Sequence, residues 1–382
     1  MWLFLVYVIE PEKLNKEALE YLMSEQIAVQ DYFNIYNALM SLPHSSKVLF
    51  DGSRLNKALE EAIPVACKRV DTQSPVMLLK SCKNEVEIKG ERKAMLEDAV
   101  ALTRFFRWLE TEAFQTKQTE YTLMQKLYEL RAERENFVEE SFGTIAGYEG
   151  NGAIVHYAAT ESDCAEVKNE GMLLLDSGGQ YLDGTTDITR TVWLGSIPQE
   201  GDARYEEFRK ARFDFTLVLK GHIALATAVF PRGTRGNQLD VLAHQYMWQE
   251  GITYGHGTGH GVGHFLGCHE GPQNIRTDNN PAPLQLGNIC SDEPGIYRAG
   301  EYGIRIENLI TVVPAVATKF AEFYKFDTLT LCYYDTRLMD TDMMTKAELE
   351  WINSYHENLL KEVCPLLSED EQEWLKAKCK VI

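Results

Sequence analysis

Hydrophobic and polar positions recur with different periods along the 382-residue chain, and each change of period predicts a change of secondary structure. The run from Met1 to Ile9 is almost wholly apolar and predicts a buried strand, since it is too short to span a bilayer. The next predicted elements are helices at Lys16 to Leu22 and Leu55 to Ala62, and strands at Lys47 to Asp51 and near Val76 to Leu79. Residues 1–83 are therefore predicted to form a small, partial α/β domain.

A helical period begins after Lys80, where the apolar spacing becomes three, four and seven. This long helix is defined by Ile88, Met95, Ala99, Leu102, Phe106 and Leu109. Other helices are predicted around Leu123 to Leu130, at Tyr205 to Val229 with core candidates Phe208, Phe213, Leu217 and Ile223, and at Leu239 to Trp248. We expect a central domain over residues 84–335 and a C-terminal helical extension over residues 336–382.

Apolar and β-branched runs between these helices predict strands. Gly152 to Tyr157 follows a glycine-rich approach and is predicted to be one strand. Met172 to Gly179 and Tyr181 to Trp193 predict a hairpin, in which a bulge or a wider loop is needed for Asp176 and Asp187 to face each other.

A second hairpin is predicted around Gly300. Glu293 and Glu307 lie at equal distances on either side of this glycine, so the turn would bring them opposite each other. The order of helices and hairpins predicts the α+β class, with helices packed on a curved, mostly antiparallel sheet.

Composition narrows the possible partners. With 45% hydrophobic residues the chain can bury a large core, and its net charge of −19 disfavours nucleic acids and anionic membrane surfaces as partners. Its eight cysteines are scattered without a C-x-x-C motif, which is typical of reduced thiols and predicts a cytoplasmic protein.

The two glutamates of the second hairpin need a compensating positive charge. Buried ionised carboxylates cost several kcal/mol each when unpaired, and only Arg298 and Arg305 lie nearby in the sequence. Similar reasoning applies to Asp176, because three leucines precede it and a turn-capping role explains it less well. A metal ion is the obvious candidate.

Four of the nine histidines lie between His256 and His269, in a segment with glycine at alternate positions. Because each glycine would cost a helix about 1 kcal/mol, a strand or loop is the better prediction. Glycines let a ligand approach the backbone, and neighbouring imidazoles can bind a metal or move protons. His156 stands alone in an apolar setting, where a core histidine is the simpler interpretation unless other site residues join it.

These residues together suggest one site composed of Asp176, Asp187, His260, Glu293 and Glu307. One imidazole and four carboxylates favour two divalent ions, with Mn²⁺ preferred and Co²⁺, Zn²⁺ or Fe²⁺ as possible substitutes. An alternative is a three-histidine site made of His256, His260 and His264, with the acids purely structural.

The order of these motifs resembles the pita-bread metallopeptidase family, and within it the cytosolic Xaa-Pro aminopeptidases (aminopeptidase P). The resemblance covers about residues 80 to 382. It rests on Asn151-Gly152-Ala153-Ile154-Val155-His156-Tyr157, Asp183-Gly184-Thr185-Thr186-Asp187-Ile188-Thr189-Arg190-Thr191, His256 to Val262, and Asp292-Glu293-Pro294-Gly295.

The resemblance implies a homodimer with a two-manganese centre, which removes the first residue from peptides that have proline in the second position. By motif position, Asp176 would bind one metal, Asp187 and Glu307 would bridge both, and His260 with Glu293 would complete the second. Water activated by the metals would attack the carbonyl before proline.

The resemblance also implies roles around the metals. Glu293 would handle the proton, His156 and His269 would contact the substrate or the tetrahedral intermediate, and His256 would shape the proline-side pocket. The implied catalytic residues are Glu293, His156, His269 and Arg305, with Tyr297 in support.

Two features depart from the family pattern. His264 stands where relatives commonly have a small residue, and residues 1–83 correspond only to the latter part of the second of two N-terminal domains. The alternatives are a prolidase, which would cut only Xaa-Pro dipeptides at the same metal centre, and a pita-bread protein that binds partners without catalysis.

Overall fold

The computed structural model describes residues 6–382. The chain divides into two units, one up to Leu79 and one from Lys80 to Ile382. The elements that begin in the first unit are β1 (Val6–Ile9), α1 (Lys16–Ser24), β2 (Ala28–Asp31), α2 (Asn34–Met40), β3 (Lys47–Phe50), α3 (Lys57–Ala62), β4 (Lys68–Asp71) and α4 (Pro75–Ser81). Strand β1 pairs in parallel with β2, and β3 pairs in parallel with β4, so the predicted α/β character is present.

Two predictions for the first unit are wrong in part. The first five residues of the predicted N-terminal strand lie outside the described part, and Val6 and Tyr7 in β1 are half exposed rather than buried. The predicted strand near Val76 to Leu79 is the helix α4. Pro75 stands at its first position, where the fixed φ of proline suits a helix start and no N–H is needed.

Four helices of the second unit begin and end close to their predicted positions, and two more lie in the predicted C-terminal helical extension. They are α5 (Glu85–Thr111), α6 (Glu120–Ala132), α7 (Tyr205–Ala226), α8 (Asp240–Gln249), α9 (Lys346–Val363) and α10 (Glu369–Lys378). Helix α5 begins where Asn84 and Glu87 cap each other's backbone N–H groups. Its predicted apolar face is buried from Met95 to Leu109, and from Ala99 onward it packs in one core with α6, Leu173 and Val192. The predicted boundaries at residues 83 and 335 stay predictions.

The strands of the second unit pair antiparallel throughout. They are β5 (Gln118–Thr119), β6 (Phe137–Glu140), β7 (Ile145–Tyr148), β8 (Glu166–Val167), β9 (Gly171–Ser177), β10 (Gly179–Tyr181), β11 (Gly184–Thr185), β12 (Ile188–Leu194), β13 (Val229–Pro231), β14 (Gly259–Val262), β15 (His269–Ile275), β16 (Ile289–Asp292), β17 (Gly295–Arg298), β18 (Tyr302–Arg305), β19 (Asn308–Ala317) and β20 (Glu322–Thr328).

The largest sheet has six strands in the order β13-β20-β19-β16-β14-β15, and a three-stranded sheet has the order β12-β9-β7. Helices and antiparallel sheets in this arrangement confirm the predicted α+β class. Across residues 6–382, none of the helices combines the length and the apolar character that crossing a bilayer requires.

The predicted strand from Gly152 to Tyr157 is wrong. A 3-10 helix covers Glu149–Ala153, and irregular backbone carries His156. The glycines explain the difference. A Cβ on Gly147 would lie 2.7 Å from Cα of Gly152, so the backbone can turn this tightly only if position 147 has no side chain.

The same turn packs directly on β18. A Cβ added to Gly303 would lie 1.7 Å from the carbonyl oxygen of Gly152, so the two backbones touch. We expect Gly303→Ala to lower the free energy of unfolding by about 1 to 3 kcal/mol, measured by urea denaturation. Gly143→Ala is the control, since a Cβ there meets nothing within 4 Å. Equal stability of the two variants would contradict this close packing.

Candidate metal centre

The register of two ladders places Glu293 opposite Glu307. Asp292 of β16 pairs with Asn308 of β19, and Gly295 of β17 pairs with Arg305 of β18. Both pairings are symmetric about residue 300, and the two glutamates lie between the ladders. The structure therefore confirms the predicted hairpin.

The hairpin of β9 and β12 supplies the two aspartates. Asp176 pairs with Thr189, so Asp187 lies one residue before β12 and not directly across from Asp176. The short strands β10 and β11 form the wider loop that the sequence required. Both aspartates are buried, with exposed fractions of 8% and 3%.

Strand β14 brings His260 to the acidic residues. The backbone N–H of His260 donates to Oγ of Ser291 over 2.9 Å, and the Ser291 hydroxyl donates to Oε1 of Glu293 over 3.0 Å. Nε2 of His260 lies 3.2 Å from Oδ2 of Asp187 and 3.8 Å from Oε1 of Glu293. The predicted strand or loop in the glycine-rich segment is confirmed.

Three overlapping groups of side chains have ligand atoms within 4.8 Å of one another, among the described residues. The groups are Asp187, His260 and His269; His260, Glu293 and Glu307; and Asp176, Asp187 and Glu307. All five residues predicted as ligands belong to at least one group. His269 joins them, with its ring centroid 4.3 Å from that of His260.

Burial sets the charge of these carboxyl groups in the metal-free chain. It raises the pKa of Asp176 and Glu307, and it raises the pKa of Glu293 to about 7. Burial lowers the pKa of His260, but the Asp187 carboxylate outweighs burial and brings that pKa to about 9. The acids thus repel one another in a volume with too little positive charge, which is a site that favours added cations.

Arg305 provides part of the missing charge. Its Nη2 donates to Oδ2 of Asp176 over 2.5 Å, and its Nη1 donates to the hydroxyl of Tyr297 over 2.8 Å. The same hydroxyl lies 2.8 Å from Nε2 of His256, whose pKa burial lowers to about 4. Arg305 therefore links the acidic cluster to the histidine at the cavity wall.

A cavity of about 610 Å³ opens onto this cluster. It is lined by all nine residues that the sequence predicted for the site: His156, Asp176, Asp187, His256, His260, His269, Glu293, Arg305 and Glu307. His156 lines the cavity although its backbone is not the predicted strand.

The alternative three-histidine site is not formed. His264 points to α5, where its Nδ1 lies 3.8 Å from Oε2 of the fully buried Glu91. Neither His256 nor His264 belongs to the metal-competent groups found among residues 6–382.

Sequence reasoning missed the side chains that hold the acids in place. Thr189 donates to Oε2 of Glu307 over 2.8 Å, and the thiol of Cys268 donates to Oδ2 of Asp187 over 3.3 Å. Ser291 connects His260 to Glu293 as described above. The sequence contains one signal for them: Thr189 and Thr191 are two residues apart on β12, so their side chains lie on the same face of the strand, which could have indicated a polar face turned to the site.

Residues 89–314 match the profile described as "Metallopeptidase family M24", and this match covers more than half of the chain. The chain belongs to metallopeptidase family M24. Residues 322–382 match the C-terminal region of peptidase M24, and residues 2–87 match the creatinase/prolidase N-terminal domain.

Relatives within the M24 family are similar along nearly the whole chain. A probable Xaa-Pro aminopeptidase P from Coprinopsis cinerea is 40% identical over 97% of this chain and 61% of its own length. Xaa-Pro aminopeptidase 1 from Dictyostelium discoideum is 38% identical over 97% of this chain and 59% of its own length. The chain thus spans about three fifths of these relatives.

Solved M24 structures have the same fold, which confirms the predicted pita-bread fold. X-prolyl aminopeptidase from Caenorhabditis elegans, described as a cytosolic enzyme with a di-nuclear active site, has a TM-score of 0.89 and 35% identity over 99% of this chain and 62% of that one. Prolidase from Pyrococcus furiosus has a TM-score of 0.63 and 22% identity over 85% of this chain and 86% of its own, which supports the fold alone.

The donor set fits the divalent ions that a metallopeptidase needs. Carboxylate oxygens and one or two imidazoles suit hard or borderline divalent cations, and no cysteine belongs to the metal-competent groups of the described residues. Oδ1 of Asp176 is buried without a hydrogen-bond partner, as expected of an oxygen reserved for a ligand.

The raised pKa of Glu293 predicts how the metal-free protein responds to pH. Its folded pKa of about 7 exceeds an unfolded value of about 4.3, so the stability from its neutral form is present below pH 4 and is lost as pH rises through 7. Glu293→Gln keeps a neutral side chain at every pH. We expect it to raise Tm by about 2 to 4 °C at pH 8 and by much less at pH 5, in calorimetry of the metal-free protein.

The exposed Glu322 provides the control for this measurement. It pairs with Arg232 at the surface, so Glu322→Gln should change Tm little at either pH. If Glu293→Gln changes Tm by the same amount at pH 5 and pH 8, ionisation of the buried Glu293 is not the cause of the change.

Proposed function

We propose that the chain is the catalytic part of an Xaa-Pro aminopeptidase, which hydrolyses the bond between the first residue of a peptide and a proline in the second position. The observation that carries this proposal is one cavity containing a cluster of four carboxylates and His260, in a chain similar to Xaa-Pro aminopeptidases along 97% of its length. The proposal extends to a cytoplasmic homodimer, by similarity to a relative described as cytosolic and by family resemblance.

Two divalent ions would be held by the predicted ligand set: Asp176, Asp187, His260, Glu293 and Glu307. We propose Mn²⁺ as the physiological metal because carboxylate oxygens predominate, with Co²⁺, Zn²⁺ or Fe²⁺ as substitutes. When bound, such ions lower the pKa of water and stabilise negative charge on a carbonyl oxygen.

The chain's own residues handle orientation and protons. Glu293 lines the cavity beside His260, and family resemblance assigns the proton transfer to its carboxyl group. The breaking amide leaves as the secondary amine of proline and must receive a proton, which we assign to the carboxyl group of Glu293. Arg305 holds Asp176 in place through its guanidinium group.

The histidines of the cavity wall bind the substrate in this proposal. Burial and the neighbouring His260 lower the pKa of His269, so its neutral ring can donate or accept a hydrogen bond at neutral pH. His156 and His269 line the cavity and would contact the peptide carbonyl, while His256 would shape the pocket for proline.

The decisive assay uses the chain stripped of metal and then reconstituted with Mn²⁺. We expect release of the first residue from a tripeptide Xaa-Pro-Xaa, measured by amine-detecting chromatography, and loss of release after EDTA treatment. A tripeptide with alanine in the second position should react at least about tenfold more slowly, since the pocket is proposed to fit the proline ring. Release from Xaa-Pro dipeptides alone would identify a prolidase instead.

Substitutions of two neighbouring histidines separate ligands from other imidazoles. His260→Ala should lose one of the two Mn²⁺ ions in a calorimetric titration and lower kcat by at least about 100-fold, because the variant lacks a proposed ligand. His264→Ala should retain both ions, since His264 faces Glu91 outside the cluster. Equal metal loss in the two variants would contradict the proposed ligand set.

A further inference from the structure

We propose that Asp240 and Thr258 form a positioning pair behind the cavity, which fixes the backbone of Glu293 and the ring of His256. The inference deepens the proposed function, since it assigns two further residues to the support of that site. Neither residue lines the cavity, and both are buried, with exposed fractions of 2% and 0%.

The buried carboxylate of Asp240 is stabilised by the N-terminus of α8 and by neighbouring polar side chains. Asp240 is the first residue of α8, where the helix N-terminus favours negative charge. The hydroxyl of Thr258 donates to Oδ1 over 2.7 Å, and Nε2 of His244 lies 3.3 Å from Oδ2. Asp240 therefore acts as an anchor on α8 for the chain segment that contains Thr258.

The hydrogen bonds of Thr258 have only one consistent direction. A carboxylate accepts hydrogen bonds and cannot donate, so the hydroxyl hydrogen of Thr258 points to Asp240. The hydroxyl of Tyr254, which lies 2.5 Å from Oγ1 of Thr258, must then donate to Thr258. The carboxylate of Asp240 thereby fixes the orientation of the Thr258 hydroxyl, which in turn fixes that of the Tyr254 hydroxyl.

Two contacts connect this pair to the site. The carbonyl oxygen of Thr258 accepts from the backbone N–H of Glu293 over 2.8 Å, so movement of Thr258 moves the backbone of a proposed ligand. The ring of Tyr254 lies against His256, with centroids 4.8 Å apart, and its other face stacks on His244 at 4.0 Å. Asp240 thus influences Glu293 through Thr258 and His256 through Tyr254.

Thr216 offers a matched control. Its hydroxyl is equally buried, donates to the carbonyl oxygen of Arg212 over 2.7 Å and accepts from the N–H of Asp340 over 2.9 Å. It lies in α7 and takes part in none of the contacts of the cavity described above. Replacing either threonine by valine removes one donated and one accepted hydrogen bond at nearly constant volume.

The test compares Thr258→Val, Thr258→Ser and Thr216→Val in the full chain. We expect both valine variants to lower Tm, but only Thr258→Val should lower kcat, by about tenfold with KM changed less than about threefold. In NMR spectra of histidine-labelled protein, only Thr258→Val should shift the ring C–H signal of His256, assigned by its loss in His256→Gln. Thr258→Ser keeps the hydroxyl and should restore both kcat and the signal.

Asp240→Asn provides a second route if Thr258→Val does not fold. Its amide has the same size but only one accepting oxygen, so the donors Thr258 and His244 cannot both keep their contacts, and the same His256 signal should shift. An unmoved His256 signal in these variants, or the same kcat loss in Thr216→Val, would overturn the proposal. A wild type that releases no amino acid would refute the aminopeptidase assignment, while the His256 signal still decides the positioning pair.

Discussion

The structure depends on holding four carboxyl groups within a few ångströms of one another in a buried volume. Two come from opposite sides of the Gly300 hairpin and two from the β9 and β12 hairpin, so two independent turns must close in register. Their mutual repulsion and desolvation oppose folding, and Arg305 with His260 offset only part of it. Much of the surrounding hydrogen bonding can be understood as compensation for this arrangement.

That compensation is arranged in successive layers. Hydroxyl and thiol donors from Thr189, Ser291 and Cys268 touch the acids directly. Arg305 and Tyr297 extend the network to His256. Such donors orient each carboxylate and limit the number of conformations it can adopt, which preorganises the cluster for cations.

The sequence identified the acidic cluster because its residues stand in short, strongly patterned segments. Glu293 and Glu307 are symmetric about a glycine turn, and Asp176 ends an apolar run, so local pattern was sufficient for their placement. His156 was placed on a strand because its apolar neighbours suggested one, whereas the close contact of Gly147 with Gly152 forces a turn. Thr189 and Cys268 were missed because their partners Glu307 and Asp187 are distant in sequence, and distant pairing is set by tertiary packing. The link from Ser291 to His260 was missed for the same reason.

The Gly300 hairpin also determines where the chain can change its length. The turn at Gly300 has a positive φ of 76°, and a Cβ there would meet nothing within 4 Å, whereas the other side of the turn lies against Gly150. Residues added on the open side of the tip leave the paired arms unchanged. One residue added to an arm, between Glu293 and Arg298 or between Tyr302 and Glu307, reverses the face of every side chain beyond it. Related sequences should therefore vary at the tip and keep constant spacing in both arms.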